Sequence, residues 1–368
     1  MLEKETYTVC TRCFTYNHAS YILDALNGFV MQETTFPVVS VIVDDASTDN
    51  EPQIILDYFN ENFAVNDTSV AYQEETDYGR IFYAQHKINK NCYFAILLLK
   101  ENHYSQRKSK RPYLSRWQDN AKYIALCEGD DYWTDPHKLQ HNIDVLNKEP
   151  RCMMVCSRTR LFSEEEKKIT GESFCKTSDG WLDPKDVIQR GGLFIATCSI
   201  VYRNGIGGYP DYAQTCHVGD YPRQIFCALT GGVYYLNHSY SVYRINNPSS
   251  FMGKYYNGNN SDELLLRRKT ETMMLNGFAK DYPKYSKYFQ NRIAYYVISI
   301  IPDRRRKDST ENFYFYQCYA DEFKNFPLFW KVYHGFIYTK KTIIKRAFFK
   351  ITRNYIRSFK ELTIPVVD

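Results

Sequence analysis

Long apolar runs are missing from this chain of 368 residues. The best candidate, Phe94-Ala-Ile-Leu-Leu-Leu99, falls far short of the roughly 20 residues that cross a bilayer. A disulfide framework is missing too. The 11 cysteines are odd in number and share no framework spacing. The one CxxC, Cys10 to Cys13, has no second pair of ligands at zinc spacing, and it falls on a strand and its exit, not at the helix start a redox pair uses. The opening Met1-Leu-Glu-Lys-Glu-Thr6 is charged and runs directly into a strand, so no signal peptide is read there. Free thiols in a reducing, cytoplasmic compartment are the expectation. Glycine is absent from Thr11 to Ser20, which argues against a Gly-rich phosphate loop after the first strand. A strong excess of one charge is lacking as well: the net value of +5 is too mild to imply nucleic acid, and none is expected as a partner. No internal repeat is visible.

What is present points to an ordered α/β chain. Apolar residues make up 44%, enough to oppose disorder. The 33 tyrosines suit either ligand contact or ordinary core packing. Tyr7 to Phe14 reads as a strand and His18 to Gln32 as a helix, with Ile22, Ala25, Leu26, Phe29 and Val30 on one face. Phe36 to Val43 is a near-continuous apolar run, as in a parallel strand buried on both faces. A helix over Pro52 to Asn60 and a strand over Ser69 to Gln73 complete a strand–helix alternation, which predicts a doubly wound, mostly parallel sheet. Asn89 to Lys100 reads as a further helix, and Gln106-Arg-Lys-Ser-Lys-Arg111 as a solvated basic loop. Strands follow at Lys122 to Cys127, Cys152 to Cys156, Phe194 to Tyr202, Val233 to Leu236 and Val242 to Ile245. Helices are expected at Lys138 to Lys148 and Asp220 to Leu229. Beyond a boundary near residue 250 the chain reads as helical, over Leu264 to Met274, Lys287 to Ile301 and Thr310 to Phe323.

In an open parallel sheet, ligands bind beyond the carboxyl ends of the strands. Two strands here end in acidic turns, Val43-Asp44-Asp45 and Cys127-Glu128-Gly129-Asp130-Asp131. Two like charges about 5 Å apart at an effective dielectric of about 20 repel by about 3 kcal/mol. Such a cluster calls for a cation, and a hard divalent ion held by one or two carboxylates plus substrate phosphates fits. Gly129 is expected to let the backbone approach that ligand. Helix capping accounts for Asp49 or Asn50 and for Asp135, ahead of Pro52 and Pro136, but not for the whole acidic set.

Four segments in order carry a resemblance: Phe14-Thr-Tyr-Asn17 with His18 and Tyr21-Ile22; Val43-Asp-Asp-Ala-Ser-Thr-Asp49; Tyr123-Ile-Ala-Leu-Cys-Glu-Gly-Asp-Asp-Tyr-Trp133; and Val218-Gly-Asp-Tyr221. Over roughly residues 6 to 250 the chain resembles a family 2 glycosyltransferase of the GT-A fold, of the non-processive bacterial polysaccharide type. The resemblance implies a catalytic domain over 1–250, with a nucleotide-sugar half at about 1–135 and an acceptor half at about 136–250. It implies that Thr15, Tyr16 and Asn17 line the nucleotide pocket, and that Asp45, with Asp44 beside it, contacts the base or ribose. Glu128 stands at the first position of the DxD motif, normally Asp, and would touch the ribose or a metal-bound water. Asp130, at the third position, would ligate Mg²⁺ or Mn²⁺ on the diphosphate. Asp131 would orient the acceptor or cap the next helix. Trp133 and Tyr132 would flank the acceptor or pack in the core. Asp220 would be the general base. Thr197 and Ser199 fall where the family borders its acceptor, and His217 is either a partner of Asp220 or a surface residue. Cys13-Phe14 replaces the family's proline before Thr-Tyr-Asn.

The implied reaction is inverting, metal-dependent transfer of a monosaccharide, of the hexosyl or N-acetylhexosaminyl class, from a nucleotide-diphosphate sugar, UDP being the family's commonest carrier. The acceptor would be a hydroxyl of a glycan or lipid-linked saccharide in polysaccharide assembly. The QxxRW motif of processive members is missing, so one sugar per encounter is expected. Two rivals are a nucleotidyltransferase and an inactive carbohydrate-binding relative. The glycine-free Thr11–Ser20 turn opposes the first, and the intact acidic set opposes the second. Residues 342 to 360 read as a basic amphipathic helix: Ile344, Phe348, Ile351, Tyr355 and Phe359 face one way, and Arg346, Lys350, Arg353, Arg357 and Lys360 the other. Such a helix either lies peripherally on the membrane's inner face or docks on the catalytic domain.

Overall fold

A computed structural model describes residues 6–246 and 261–300. Strand β1 (Tyr7–Thr15) lies inside a twelve-stranded sheet. It runs parallel to β2 (Val38–Asp44) on one side and to β6 (Ala121–Leu126) on the other, and β2 pairs in parallel with β5 (Cys92–Leu99). Every residue of β2 is buried, as its near-continuous apolar run predicts, with Ser40 and Asp44 the only polar members. Val39, Val41 and Val43 enter one apolar cluster, and Val38 and Ile42 enter the other across the sheet. A hairpin, β3 (Ala71–Glu75) and β4 (Gly79–Gln85), extends the β5 edge antiparallel.

The other half of the sheet is mixed. β11 (Val201–Arg203) runs antiparallel to both β6 and β8 (Met154–Ser163), and β12 (Val233–Ile245) runs parallel to β8. The short strands β7 (Tyr132–Trp133), β9 (Lys168–Ser173) and β10 (Gly180–Trp181) pair onto β12 or β8. One face is covered by α1 (Ile22–Val30), α2 (Glu51–Asn62) and α4 (Lys138–Lys148), through Ile22, Leu26, Phe29, Ile55, Phe59, Leu139 and Ile143. The opposite face is covered by α3 (Arg111–Gln118), α5 (Pro184–Arg190) and α7 (Asp220–Thr230), and α6 (Asp211–Gln214) adds Ala213 there. Two C-terminal helices, α8 (Ser261–Asp281) and α9 (Ser286–Ile300), join that second layer. Their Phe278, Phe289 and Ile293 share a cluster with Val187 and Ile225. The α/β class, the parallel centre, the flanking helices and the helical region after the sheet are therefore as expected. The expected helices over 310–323 and 342–360 lie outside the described residues, as does the boundary at 250.

Three local expectations are corrected. Asn89 to Lys100 is not a helix: Cys92–Leu99 is strand β5, and its apolar run is sandwiched between β2 and β4. An unbroken apolar run fits either element, and only the neighbouring strands decide it. Phe194 to Tyr202 is not one strand. Single 3₁₀ turns at Gly192–Phe194 and Thr197–Ser199 lead into the short β11. The two segments at 233–236 and 242–245 are one strand, with register shifts between Leu236 and Ser241 that interrupt the apolar pattern.

The ten cysteines among the described residues are all free. Cys10 and Cys13 enter clusters on opposite faces of the sheet, so the CxxC cannot act as a pair. Burial pushes the Cys10 thiol up to about 12. No helix among the described residues is long and apolar enough to cross a membrane.

Candidate active site

The carboxyl ends of β1, β2 and β6 lie side by side, and short contacts lock their turns together. Asp45 N donates to the Thr15 carbonyl at 3.0 Å, and Gly129 N donates to the Phe14 carbonyl at 3.0 Å. A Cβ on Gly129 would fall 2.1 Å from Thr15 Oγ1, so no side chain fits there. The glycine thus admits Thr15, at the end of the neighbouring strand.

Glu51 organises the turns after β1 and β2, and the sequence reading missed it. It is fully buried. Its carboxylate accepts the Thr15 hydroxyl, the His18 amide at 2.8 Å and the Ser47 hydroxyl at 2.9 Å. Asn17 staples the same two turns: its side-chain oxygen accepts Thr48 N at 2.8 Å, and its amide donates to Ser47 Oγ at 2.9 Å. Asn17 and Ala46 both adopt left-handed backbone, with φ of 58° and 61°. Such strain concentrates at functional sites, where surrounding bonds hold it. The capping reading is corrected: the N-caps of α2 and α4 are Asn50 and His137, neither with a side-chain capping bond, while Asp49 Oδ1 accepts Glu51 N at 3.0 Å and Asp135 Oδ1 accepts His137 N at 2.8 Å, just ahead of the helices.

The paired acids after β2 divide in their surroundings. Asp45 is buried, and its carboxylate accepts His103 N at 2.9 Å, Tyr104 N at 3.0 Å and Lys110 Nζ at 2.6 Å. It thereby anchors the basic loop, whose Lys110 also sits 5.3 Å from the Phe14 ring. Asp44 accepts Ser47 N at 3.1 Å through one oxygen, while its buried Oδ1 has no hydrogen-bond partner. Burial pushes the Asp44 carboxyl up to about 6; hydrogen bonds from Ser47 oppose the rise, and Glu51 and Asp49 add to it. Tyr16 is partly exposed in the turn after β1.

The second acidic turn holds three carboxyls. Burial pushes Glu128 up to about 7. The Arg12 guanidinium opposes that shift, the Asp130 charge adds to it, an amide hydrogen bond from Phe14 opposes it, and the Asp220 charge adds to it. Glu128, Asp130 and Asp220 thus share one electrostatic neighbourhood. The Tyr243 phenol, raised well above its usual range by burial, also feels Asp131, Asp130 and Asp220. The Asp130 carboxylate, 18% exposed, has His18 Nε2 3.9 Å away. Asp131 is buried, raised by desolvation and by Asp130, and accepts the Arg244 amide at 2.9 Å.

Asp220 opens α7. Its Oδ2 accepts the Thr197 hydroxyl at 3.1 Å, and its Oδ1 accepts Tyr221 N at 2.7 Å. Burial raises its pKa, while those two hydrogen bonds and the Arg267 charge from α8 hold it down. Thr197 is therefore brought to the site. Ser199 is not: it is fully buried, and its hydroxyl donates to the Ala196 carbonyl at 2.7 Å. Trp133 is likewise a core residue. It packs against Phe29 with ring centroids 5.0 Å apart, and its indole N–H donates to the Cys198 carbonyl at 2.9 Å. An acceptor cannot reach either side chain.

The donor set was tested for a divalent cation. No group of three or more His, Cys, Asp or Glu among the described residues is arranged to hold a metal by itself. Asp130 and Glu128, the latter raised chiefly by burial, are two neighbouring hard oxygen donors, a set that would fit a divalent ion only with further oxygen ligands.

No protein-family model matches the chain. It is 30% identical over 233 residues to the uncharacterised proteins Mb1547 of Mycobacterium bovis and Rv1520 of Mycobacterium tuberculosis, a stretch that covers 62% of this chain. The chain spans 56% of the length of these curated relatives. Among solved structures it is similar to Staphylococcus aureus TarS 1-349 in complex with UDP, at 13% identity and a TM-score of 0.42 over 81% of this chain and 82% of that one. It is also similar to the mannosyltransferase PcManGT from Pyrobaculum calidifontis in complex with GDP-Man and Mn²⁺, at 12% identity and a TM-score of 0.46 over 89% and 83%. Likeness at these scores does not by itself establish a shared activity.

Proposed function

We propose that this chain is a non-processive, family 2 glycosyltransferase of the GT-A fold that moves a hexosyl or N-acetylhexosaminyl group from a nucleotide-diphosphate sugar, UDP-linked, to an acceptor hydroxyl with inversion. One observation carries the reading: the turns after β1, β2 and β6 are bonded side by side, Asp45 N to the Thr15 carbonyl and Gly129 N to the Phe14 carbonyl, so both acidic turns open at one sheet edge. That arrangement supports assigning an acid for the metal, an acid for the acceptor proton and a nucleotide-side turn to this edge.

In this reading the 15–18 and 44–51 turns receive the nucleoside. Asp44 Oδ1, buried without a partner, is the acceptor left for a base N–H or a ribose hydroxyl, while Asp45 holds the 102–110 loop against that turn. Asp130 and Glu128 would hold Mg²⁺ or Mn²⁺, which offsets charge on the departing diphosphate. Asp220 takes the proton of the acceptor hydroxyl as that oxygen attacks the anomeric carbon. Thr197 fixes the Asp220 carboxylate through Oδ2, and the Tyr221 amide fixes it through Oδ1, so the proton-accepting lone pair is aimed before substrate arrives. The acceptor is proposed to be a glycan or lipid-linked saccharide in polysaccharide assembly. The free thiols support a cytoplasmic location. Peripheral contact through residues 342–360 is proposed on the basic amphipathic pattern alone.

A panel of UDP- and GDP-sugars, with and without Mn²⁺, tests the donor reading by thermal shift. Ligand at 100 times its Kd stabilises the folded state by about 2.7 kcal/mol. Asp220→Asn should lower transfer by a factor of about 10² to 10⁴ and leave nucleotide binding within twofold. Wild-type transfer by this variant would remove Asp220 from the base role.

A further inference from the structure

The acidic turn does not hold itself in place. Strand β12 ends beside it, and Arg244, 8% exposed, is bonded to it twice. The Arg244 main-chain N–H donates to Asp131 Oδ1 at 2.9 Å, and its Nη1 donates to the Asp130 carbonyl at 2.8 Å. The rest of the guanidinium faces away from the turn: Nε donates to Glu164 Oε1 at 2.8 Å, and Nη2 donates to Asp24 Oδ2 on α1. The Tyr21 and Tyr132 rings flank it, with centroids 5.0 and 4.7 Å away.

We propose that Arg244 is a positioning residue that fixes the 128–131 turn so that the Asp130 carboxylate stays free for the divalent cation; this rests on the sugar-transfer reading. Asp24 and Glu164 together neutralise the guanidinium, so it has no surplus charge with which to compete for that carboxylate. It grips Asp130 by the backbone oxygen alone. Glu128, Asp130 and Asp131 repel one another, and a turn without this clamp would relieve the repulsion by rotating the acids apart. Only a planar fork reaches a carbonyl and two carboxylates at once; a lysine amine is a point charge and cannot. Gly28 supports the same construction from α1. A Cβ there would fall 2.9 Å from Trp133 N, so the glycine brings the helix that carries Asp24 close to the strand that follows the turn.

The test is Mn²⁺ affinity, read by the electron paramagnetic resonance of free Mn²⁺, with UDP and separately GDP present. Outer-shell partners of a metal site typically set affinity by about 10- to 100-fold, and Arg244→Lys is expected to weaken Mn²⁺ by about tenfold or more. Arg203→Lys removes a guanidinium fork bonded to the Cys152 and Leu146 carbonyls, with no bond to the 128–131 turn, and should change it by less than about threefold. If Arg244 only stabilises the fold, both variants melt earlier and bind Mn²⁺ equally well; that result overturns the proposal, as does equal weakening in both. Should Arg244→Lys fail to fold, Asp24→Asn, which touches the clamp only at its partly exposed end, must still weaken Mn²⁺ about threefold, and unchanged affinity there overturns it too. A wild-type protein that binds Mn²⁺ with neither nucleotide overturns the sugar-transfer reading itself, a separate failure.

Discussion

Lys138 is fully buried at the first residue of α4, and its Nζ has no hydrogen-bond partner among the described residues. It sits 4.5 Å from the centre of the Trp133 ring. Burial lowers the amine from 10.5 to about 8, with the neighbouring thiols Cys127, Cys198 and Cys156 acting only weakly the other way. A helix N-terminus also repels a cation. The difference of about 2.5 units (10.5 − 8) amounts to about 3 kcal/mol of lost stability at pH 7, where the amine is charged in both states. Lys138→Met keeps the length and removes the charge. It also forfeits the contact with the Trp133 face, worth about 1 to 2 kcal/mol when desolvated. The variant should therefore be more stable than wild type by about 1 to 2 kcal/mol at pH 7. The pH dependence has a definite sign. Between about 8 and 10.5 the unfolded chain binds the proton and the folded chain does not, so wild-type stability rises with pH across that window. The advantage of the methionine variant must shrink there. Urea unfolding of both proteins at pH 7 and at pH 9.5 measures this, and other titrating groups cancel in the difference. A variant less stable than wild type at pH 7, or a difference that does not move with pH, would refute the reasoning, because either means that Nζ has found a partner.

Gly129→Ala puts a methyl group 2.1 Å from Thr15 Oγ1, at the end of a central strand whose hydroxyl is already bonded to Glu51. Overpacking of this kind costs about 1 to 3 kcal/mol, and chemical denaturation should register a loss in that range together with weaker nucleotide binding. An unchanged midpoint would mean that β1 and β6 are less rigidly apposed than the hydrogen bonds imply. Glu128, raised to about 7, holds a proton in the folded state over part of the range from 4.5 to 7 in which the unfolded chain has lost it, so its contribution to stability falls as pH rises through that window. Mn²⁺ must displace the same proton, so its affinity should rise between about pH 6 and 8. Calorimetric titration of Glu128→Gln should show a flatter pH profile; an identical slope would free Glu128 of any metal role.

How much of this was legible in the sequence depends on the distance over which each feature is encoded. Periodicity is local, so the helix over Ile22–Val30 and the buried strand Val38–Asp44 could be read directly, as could the acidic ends of two strands. Cys92–Leu99 could not, because its eight residues are apolar throughout and carry no period; only β2 and β4 on either side make it a strand. The same limit governs the site. Asp130 and Asp220 stand in short motifs with recognisable spacing, whereas Glu51 opens a helix and reads as an ordinary residue favourable to the dipole. Its three bonds reach back 36, 33 and 4 residues and forward none, so no pattern around it announces the role. Arg244 is the extreme case. It joins residues separated from it by 220, 114 and 80 positions, and each bond is made by a different atom of one guanidinium. Side chains that meet the reacting groups must have a particular chemistry and so leave a signature in type and spacing. Side chains that hold those groups in place need only a donor or acceptor at the right point in space, and many sequences can supply it. A reading of residues therefore singles out the acids proposed for the chemistry and overlooks the groups that keep them from drifting apart.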